Sequence, residues 1–235
     1  YSPEIMSSVR RCVSAGEALP PKIFKEWKDT FGLEILDGIG STEMCHIFIS
    51  NRPGMVKTSS TGMVVPGYEA KIVDEDWNEL ATGEIGNLVV KGDSSAIYYW
   101  RNHKKTQKTM VGEWINTGDK YCRDDEGYYY YAGRSDDMFK VGGIWVSPFE
   151  VESALIEHSA VFECAVVCSP DAENLIKPKA FVVLKENISA SDELAEELKL
   201  FVKSKIAPYK YPRWIEFIEN LPKTSTGKIT RYKLR

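Results

Sequence analysis

The chain has 235 residues, a formal net charge of −4 and 43% hydrophobic residues. This length suits one large or two ordinary domains, and the apolar content is enough for a normal buried core. The weak negative charge gives no overall field to attract nucleic acid, and no apolar run approaches the ~20 residues that a bilayer span needs.

The beginning of the chain, Tyr1-Ser2-Pro3-Glu4-Ile5, lacks the basic and apolar regions of a signal peptide, which favours a cytoplasmic protein. Five scattered cysteines without CxxC spacing argue against both a disulfide framework and a zinc site. We expect them to be reduced thiols in the core. No membrane or nucleic-acid partner is predicted, and a homodimer is compatible with the sequence.

Residues 10 to 50 alternate between strand and helix patterns. Residues 11–14 form a short apolar strand, Pro20-Pro21 opens an amphipathic helix, and residues 34–36 return as a strand. This pattern predicts a βαβ unit, which in open α/β sheets binds ligands at the carboxyl ends of its strands.

Two glycine-containing segments follow these strands. In Gly38-Ile39-Gly40-Ser41-Thr42-Glu43, glycines allow a ligand to approach the backbone, a hydroxyl can donate to a phosphate, and a carboxylate can hold Mg²⁺. An ordinary turn followed by a helix N-cap is the alternative. Gly16-Glu17-Ala18 follows the first strand, and a helix entry with an acidic first turn is its alternative.

Residues 56 to 133 predict a β-rich subdomain, with strands at 68–73 and 87–91 and an aromatic core from Trp114, Tyr121 and residues 128–131. Asp119 and Arg134 are its candidate ligand-binding residues. A carboxylate accepts hydrogen bonds from two vicinal hydroxyls, and a guanidinium offers a planar charged fork. We expect a hairpin to bring both to one edge; a surface ion pair is the alternative.

Residues after Gly133 predict a compact α+β domain of about a hundred residues, which begins near Asp136. Ser147-Pro148-Phe149-Glu150 is a capping box, residues 164–167 and 180–184 are buried strands, and an amphipathic helix and a final strand follow. The fold class is therefore α/β and α+β: the end of a βαβ-type subdomain, a β-rich subdomain and a small α+β domain.

Lys140-Val141-Gly142-Gly143-Ile144-Trp145 opens this last domain, and its paired glycines allow close approach to a narrow ligand. A β-turn with a core tryptophan is the alternative. Lys228 lies near the end of the chain, where a lone lysine is usually a solvated charge. Asp136, in a polar segment between two domains, suits a hinge or an ordinary acidic turn.

The order of these motifs resembles that of the acyl-adenylate-forming, or AMP-binding, enzymes, which include CoA ligases, peptide-synthetase adenylation domains and luciferases. The resemblance extends from about Gly16 to Arg235 and is strongest to aryl-CoA ligases of the benzoate type. Members of this family are roughly twice as long, and their phosphate loop is absent from this sequence. The resemblance therefore implies the C-terminal part of a larger enzyme, with residues 1–135 ending the large domain and residues 136–235 forming a small mobile domain.

The resemblance also implies the substrates and site residues. ATP, Mg²⁺ and coenzyme A are expected, together with a small aromatic carboxylic acid. ATP contacts are assigned to Gly16, Glu17, Ala18, Asp37, Gly38, Ile39, Gly40, Thr42, Asp119 and Arg134, CoA contacts to Lys140, Gly142, Gly143 and Trp145, and acid contacts to Gly40, His46 and Ile47. Glu43 would bind the metal, Lys228 would be the catalytic residue, and Asp136 would be the hinge.

One position departs from the family pattern, because Ile39 replaces the aromatic residue that stacks on adenine. The expected activity is an AMP-forming carboxylate–CoA ligase that works only as the full-length protein. Two alternatives stay open: an adenylation domain that loads a carrier protein, and a noncatalytic module that binds a partner or a nucleotide.

Overall fold

The computed structural model describes residues 3–235 and comprises two compact units, one ending at Ser135 and the other spanning Asp136–Arg235. Tyr1 and Ser2, on which the signal-peptide prediction partly depends, lie outside the described residues. None of the helices among residues 3–235 has the length and apolar character that crossing a bilayer requires.

The first sheet of the first unit begins with the predicted βαβ motif. Strand β1 (Cys12–Ala15) is parallel to β2 (Ile35–Gly40), and helix α1 (Pro21–Phe31) connects them. Proline at the start and Gly32 at +67° φ at the end delimit α1, as expected from their backbone preferences. Strands β3 (Ile47–Ser50) and β4 (Met63–Val64) extend the sheet antiparallel. Short 3-10 turns span Pro3–Met6 and Thr42–Met44.

The second sheet confirms the predicted β-rich subdomain. Its elements are β5 (Tyr68–Val73), β6 (Gly86–Gly92), α2 (His103–Thr109), β7 (Met110–Val111), β8 (Trp114–Arg123) and β9 (Tyr129–Arg134). All its strand pairs are antiparallel, and β8 pairs with β6, β7 and β9. Tyr121 and Tyr129 are buried in a core with Phe48 and Leu88. Trp114 is only half-buried, so its predicted core position is wrong; its ring lies 4.2 Å from the Lys71 ammonium.

The second unit is the predicted α+β domain. Its elements are β10 (Phe139–Val141), β11 (Ile144–Val146), α3 (Pro148–Ile156), β12 (Val161–Pro170), β13 (Ile176–Leu184), α4 (Asp192–Lys205) and β14 (Trp214–Phe217). Strand β13 is antiparallel to β12 and parallel to β14, with α4 in the crossover. Helices α3 and α4 contribute Val151, Leu155, Leu198 and Val202 to one fully buried cluster.

The start of α3 shows how local sequence determines where a helix begins. Ser147 Oγ accepts a hydrogen bond from the Glu150 backbone N–H at 3.2 Å, with Pro148 at the first helical position. The Glu150 carboxylate accepts a bond from Lys210 Nζ at 2.7 Å. The serine half of the predicted capping box is therefore confirmed, whereas the glutamate bonds to Lys210 and so ties the helix to the 3-10 turn Pro208–Lys210.

Candidate functional site

Asp119 and Arg134 face each other across the β8–β9 hairpin, where they are direct register partners. Arg134 Nη1 donates to Asp119 Oδ1 at 3.1 Å and to the Thr117 carbonyl at 3.0 Å. Gly118 has a φ of +75°, and a Cβ there would lie 2.9 Å from Arg134 Nη2. Glycine thus lets the guanidinium lie flat on the turn, and the hairpin brings both charged residues to one edge as expected.

Asp37 is a second carboxylate near this edge. Tyr121, on β8, is almost fully buried, and its hydroxyl lies 3.2 Å from Thr61 Oγ1. Burial raises the pKa of Tyr121 well above its usual value, and the nearby carboxylates of Asp119 and Asp37 raise it further. Asp37 and Asp119 are therefore both close enough to the Tyr121 hydroxyl to affect its ionisation.

The Asp37 side chain itself is only 9% exposed, and within the described chain its Oδ1 atom is buried with no hydrogen-bond partner. Burial raises the pKa of Asp37 to about 7, although the Gly38 backbone N–H opposes the rise. An unpaired buried carboxylate oxygen is costly, so it is suited to accept a bond from a ligand donor such as an exocyclic amino group.

The segment from Gly38 to Glu43 differs from the predicted loop, because β2 continues to Gly40 and only the last three residues follow the strand. A Cβ on Gly40 would lie 2.4 Å from the His46 carbonyl oxygen, and one on Gly38 would lie 3.1 Å from the Ile49 oxygen. These glycines therefore allow β3 to pack closely against β2. The space that a side chain at either glycine would occupy is filled by backbone atoms of residues 46–49. Ile39 packs partly buried against the core.

Thr42 and Glu43 lie in the 3-10 turn after β2. Ser41 Oγ caps this turn by accepting from the Met44 backbone N–H at 3.3 Å, as in the turn-and-cap alternative. Thr42 is exposed, and the half-buried Glu43 carboxylate accepts a bond from the Tyr99 hydroxyl. Burial would raise the pKa of Glu43, but the bonds from Tyr99 and Ser41 outweigh it and lower that pKa. Glu43 is thus held ionised and oriented.

Tyr99 and Lys105 are neighbours of Glu43 that the sequence did not reveal. Burial and the bond to Glu43 raise the pKa of Tyr99 to about 12, and Lys105 Nζ lies 4.0 Å from the tyrosine ring centroid. The Ala96 backbone N–H also donates to the Glu43 carbonyl at 2.7 Å. Residues 96–105 lie more than fifty positions after Glu43, and no local pattern signals this contact.

Glu43 provides one oriented carboxylate that could bind Mg²⁺. Among residues 3–235 no group of three His, Cys, Asp or Glu side chains is placed to hold a metal ion. Mg²⁺ keeps several waters and is commonly bound by one or two carboxylates together with substrate phosphates. Glu43 therefore fits a metal that arrives with a nucleotide.

The remaining candidates of the first unit lie in the loop after β1 and at the start of β3. Gly16, at +95° φ, and Glu17 and Ala18 lie in the loop between β1 and α1; because the helix starts at Pro21, the helix-entry alternative is wrong. His46 is exposed and Ile47 begins β3. Cys45 is exposed with a φ of +69°, so the expectation of a core thiol is wrong at this position.

In the second unit, Lys140 and Trp145 are register partners in the β10–β11 hairpin, whose turn consists of Gly142 and Gly143 at +57° and +84° φ. The tryptophan is 46% exposed, and Lys140 Nζ lies 4.8 Å from its ring centroid. The alternative of a core tryptophan is therefore wrong. The hairpin presents an aromatic face and a cation to solvent.

Lys228 lies in a second hairpin, residues 223–229, which we call the Lys228 hairpin. An isolated bridge joins Lys223 to Ile229, and the Thr224 backbone N–H donates to the Lys228 carbonyl at 2.8 Å. Gly227, at +86° φ, makes the turn. Lys228 is exposed, and within the described part of the chain its ammonium has no ion-pair partner.

Comparisons with known proteins agree with this architecture. Residues 1–100 match the family model "AMP-binding enzyme", and residues 150–228 match "AMP-binding enzyme C-terminal domain". The chain is 59% identical to a benzoate–CoA ligase of Thauera aromatica, over 97% of this chain and 43% of the relative. It is 51% identical to a 4-hydroxybenzoate–CoA/benzoate–CoA ligase of Rhodopseudomonas palustris, over 97% and 42% respectively.

A solved structure is similar over the same extent. The crystal structure of an anthranilate CoA ligase in complex with anthranoyl-AMP superposes with a TM-score of 0.94 and 55% identity, covering 98% of this chain and 45% of that one. The chain thus spans less than half the length of the relatives it matches.

Proposed function

Because the chain belongs to the AMP-binding enzyme family, we propose that it is the C-terminal part of an aryl-acid–CoA ligase that uses ATP. The observation that carries this proposal is the pair of carboxylates around Tyr121. In this proposal Asp119, which Arg134 contacts, binds the ribose hydroxyls, and the unpaired Oδ1 of Asp37 accepts a hydrogen bond from the adenine amino group.

The proposed reaction has two steps. The carboxylate of the aromatic acid attacks the α-phosphate of ATP and displaces pyrophosphate, which gives an acyl-adenylate. The CoA thiol then loses its proton and attacks the acyl carbon, which releases AMP and gives the thioester. Mg²⁺, with Glu43 as one ligand, would neutralise phosphate charge in the first step.

Lys228 is the proposed catalytic residue of the first step. Two anions meet in that step, so a cation beside the pentacoordinate phosphorus stabilises the transition state. At ~4 Å and an effective dielectric near ~20 the Coulomb energy is about 4 kcal/mol, or roughly a thousandfold in rate. The exposed ammonium of Lys228 keeps its charge available for such a contact.

The remaining candidate residues are assigned to the binding of CoA and of the acid. Lys140, Gly142, Gly143 and Trp145 form the exposed hairpin that we propose to bind the pantetheine arm, after a change of backbone conformation at Asp136. Gly40, His46 and Ile47 are proposed to border the acid. The cytoplasmic location, the homodimer and the mobility of the second unit stay predictions.

The test uses the complete protein that contains this chain, with benzoate as the acid. We expect ATP–pyrophosphate exchange that depends on benzoate and thioester formation with free CoA. Exchange without transfer to free CoA would favour a carrier-loading domain, and no exchange with any aromatic acid would favour a noncatalytic module.

Replacing Lys228 by Ala separates the two steps. The variant should lose about a thousandfold in pyrophosphate exchange and much less in thioester formation from supplied benzoyl-adenylate, since only the first step joins two anions. Lys233→Ala, which removes another exposed ammonium from the same segment, should leave both rates unchanged. An equal loss in both steps for Lys228→Ala would contradict its assignment.

A further inference from the structure

Arg231 lies three residues after Lys228, but the Lys228 side chain is exposed and the Arg231 side chain is largely buried. Its side chain is only 15% exposed. Nη2 donates to both carboxylate oxygens of Glu152, at 2.9 and 2.8 Å, and Nε donates to Oε1 at 3.2 Å. The segment that leaves the Lys228 hairpin is therefore held by a two-pronged, charge-assisted contact.

Glu152 lies on α3 and is 5% exposed. Its Oε1 also accepts from the Val166 backbone N–H of β12 at 2.7 Å. One carboxylate thus connects the helix, the central sheet and Arg231. A buried charge pair of this kind contributes little net stability, but its geometry is strongly specified, because either partner alone would be a buried uncompensated charge.

The base of the Lys228 hairpin is fixed on its other side as well. Lys223 Nζ lies 2.6 Å from Glu163 Oε2 on β12. Thr230 donates to the Pro222 carbonyl through its backbone N–H at 2.8 Å and through its hydroxyl at 3.0 Å. The two stems are thus joined to each other, and Lys223 ties them to β12, while the tip with Lys228 stays exposed.

The same ion network contacts the residues that begin the second unit. Arg231 Nη1 lies 3.9 Å from Asp137 Oδ2, and Arg235 donates to the Asp137 carboxylate and, at 3.2 Å, to the Asp136 carbonyl. Asp136 is the candidate hinge. The backbone beside the hinge and the base of the Lys228 hairpin therefore share one set of charged contacts.

We propose that Arg231 and Glu152 are positioning residues for Lys228, which fix its hairpin to the core of the second unit and to residues 136–137. The inference rests on the proposed function, because it assigns the pair to the adenylation step. A backbone change at Asp136 then moves the ammonium together with α3 and β12, and its reach is set by the rigid network rather than by a flexible loop.

Arg231→Lys in the complete protein tests this directly, since lysine keeps the charge but cannot make the two-pronged contact. We expect pyrophosphate exchange to fall about 10- to 100-fold, as for a misplaced catalytic group, while thioester formation from supplied benzoyl-adenylate changes little. The matched control is Lys179→Met, which breaks an ion pair with Glu216 on β13 and β14 and should leave the ratio of the two steps unchanged.

Hydrogen exchange supplies a readout that is independent of activity. In Arg231→Lys the amides of Gly227 and Thr230 should exchange faster than in the wild type, while those of the β10–β11 hairpin should not. Equal losses in both steps, or unchanged amide exchange in a folded variant, would overturn the inference. Glu152→Gln keeps the side-chain volume and serves the same measurement if Arg231→Lys does not fold.

Should neither variant fold, the pair is a requirement of the fold, and the positioning role is wrong. The proposed function fails separately, when the wild-type protein gives no pyrophosphate exchange with any aromatic acid.

Discussion

At the scale of single residues, Asp37 has the most testable chemistry. Its folded-state pKa of about 7 lies above the ordinary value of 3.8 because of burial. The folded protein therefore binds more protons than the unfolded chain between these values, and this group makes stability fall as the pH rises through 7.

Asp37→Asn should remove this pH dependence. Relative to the wild type, the variant should gain on the order of 2 kcal/mol in unfolding free energy between pH 5 and pH 8. Urea unfolding of both proteins at several pH values measures this difference. An effect of the amide on stability that does not depend on pH cancels, because only the change between pH values is compared. Parallel pH profiles for the two proteins would show that the Asp37 carboxyl ionises normally.

The sequence predicted residue contacts well where the backbone alone decides them. Asp119 and Arg134 meet because two antiparallel strands joined by a short turn return to the same edge. The contact between Glu43 and Tyr99 was out of reach, because it depends on how a distant segment packs over the 3-10 turn. The hairpin that carries Lys228 was not predicted, and the tie between Arg231 and Glu152 belongs to the second class.

At the scale of elements, the β10–β11 hairpin exposes a side chain that would normally be buried. Trp145 is 46% exposed, so its removal should change unfolding free energy by no more than about 0.5 kcal/mol. If the hairpin binds CoA, Trp145→Ala should raise the KM for CoA about tenfold, which corresponds to roughly 1.4 kcal/mol. Pyrophosphate exchange should be unchanged.

Trp214→Ala is the matched control, since Trp214 is a partly exposed tryptophan on β14 of the same unit. It should leave the KM for CoA unaltered. A large drop in the melting temperature of Trp145→Ala, or an unchanged KM, would remove the hairpin from the proposed CoA site.

Several helices and strands were predicted from periodicity and capping residues, including α1, α3, α4, β12, β13 and β14. The length of β2 was missed, since Gly38 and Gly40 suggested a loop; tertiary packing against β3 overrides that preference. The short helix α2 was also missed; it begins at His103, and Asn102 caps it by accepting from the Lys105 backbone N–H at 3.2 Å.

At the scale of the whole molecule, the division between Ser135 and Asp136 separates two sets of core residues. The second unit has its own buried clusters on both faces of the β12–β13–β14 sheet, and every residue in them lies after position 136. The change from a tyrosine-rich hairpin to Ser135-Asp136-Asp137 was the sequence signal for the junction.

We therefore expect residues 136–235 to fold when expressed alone. A domain of this size typically has about 5–15 kcal/mol of stability, and circular dichroism should show a cooperative thermal transition. Dispersed amide resonances in a nuclear magnetic resonance spectrum would confirm unique packing. A broad, non-cooperative transition would mean that the second unit depends on the rest of the chain.

The buried pair of Glu152 and Arg231 has a consequence for biosynthesis. The two residues are 79 positions apart, so the ribosome delivers the carboxylate long before its cation. Until Arg231 emerges, docking α3 would cost several kcal/mol for an uncompensated charge or require Glu152 to take up a proton. Closing the core around α3 is therefore less favourable until Arg231, and with it Lys228, has been translated.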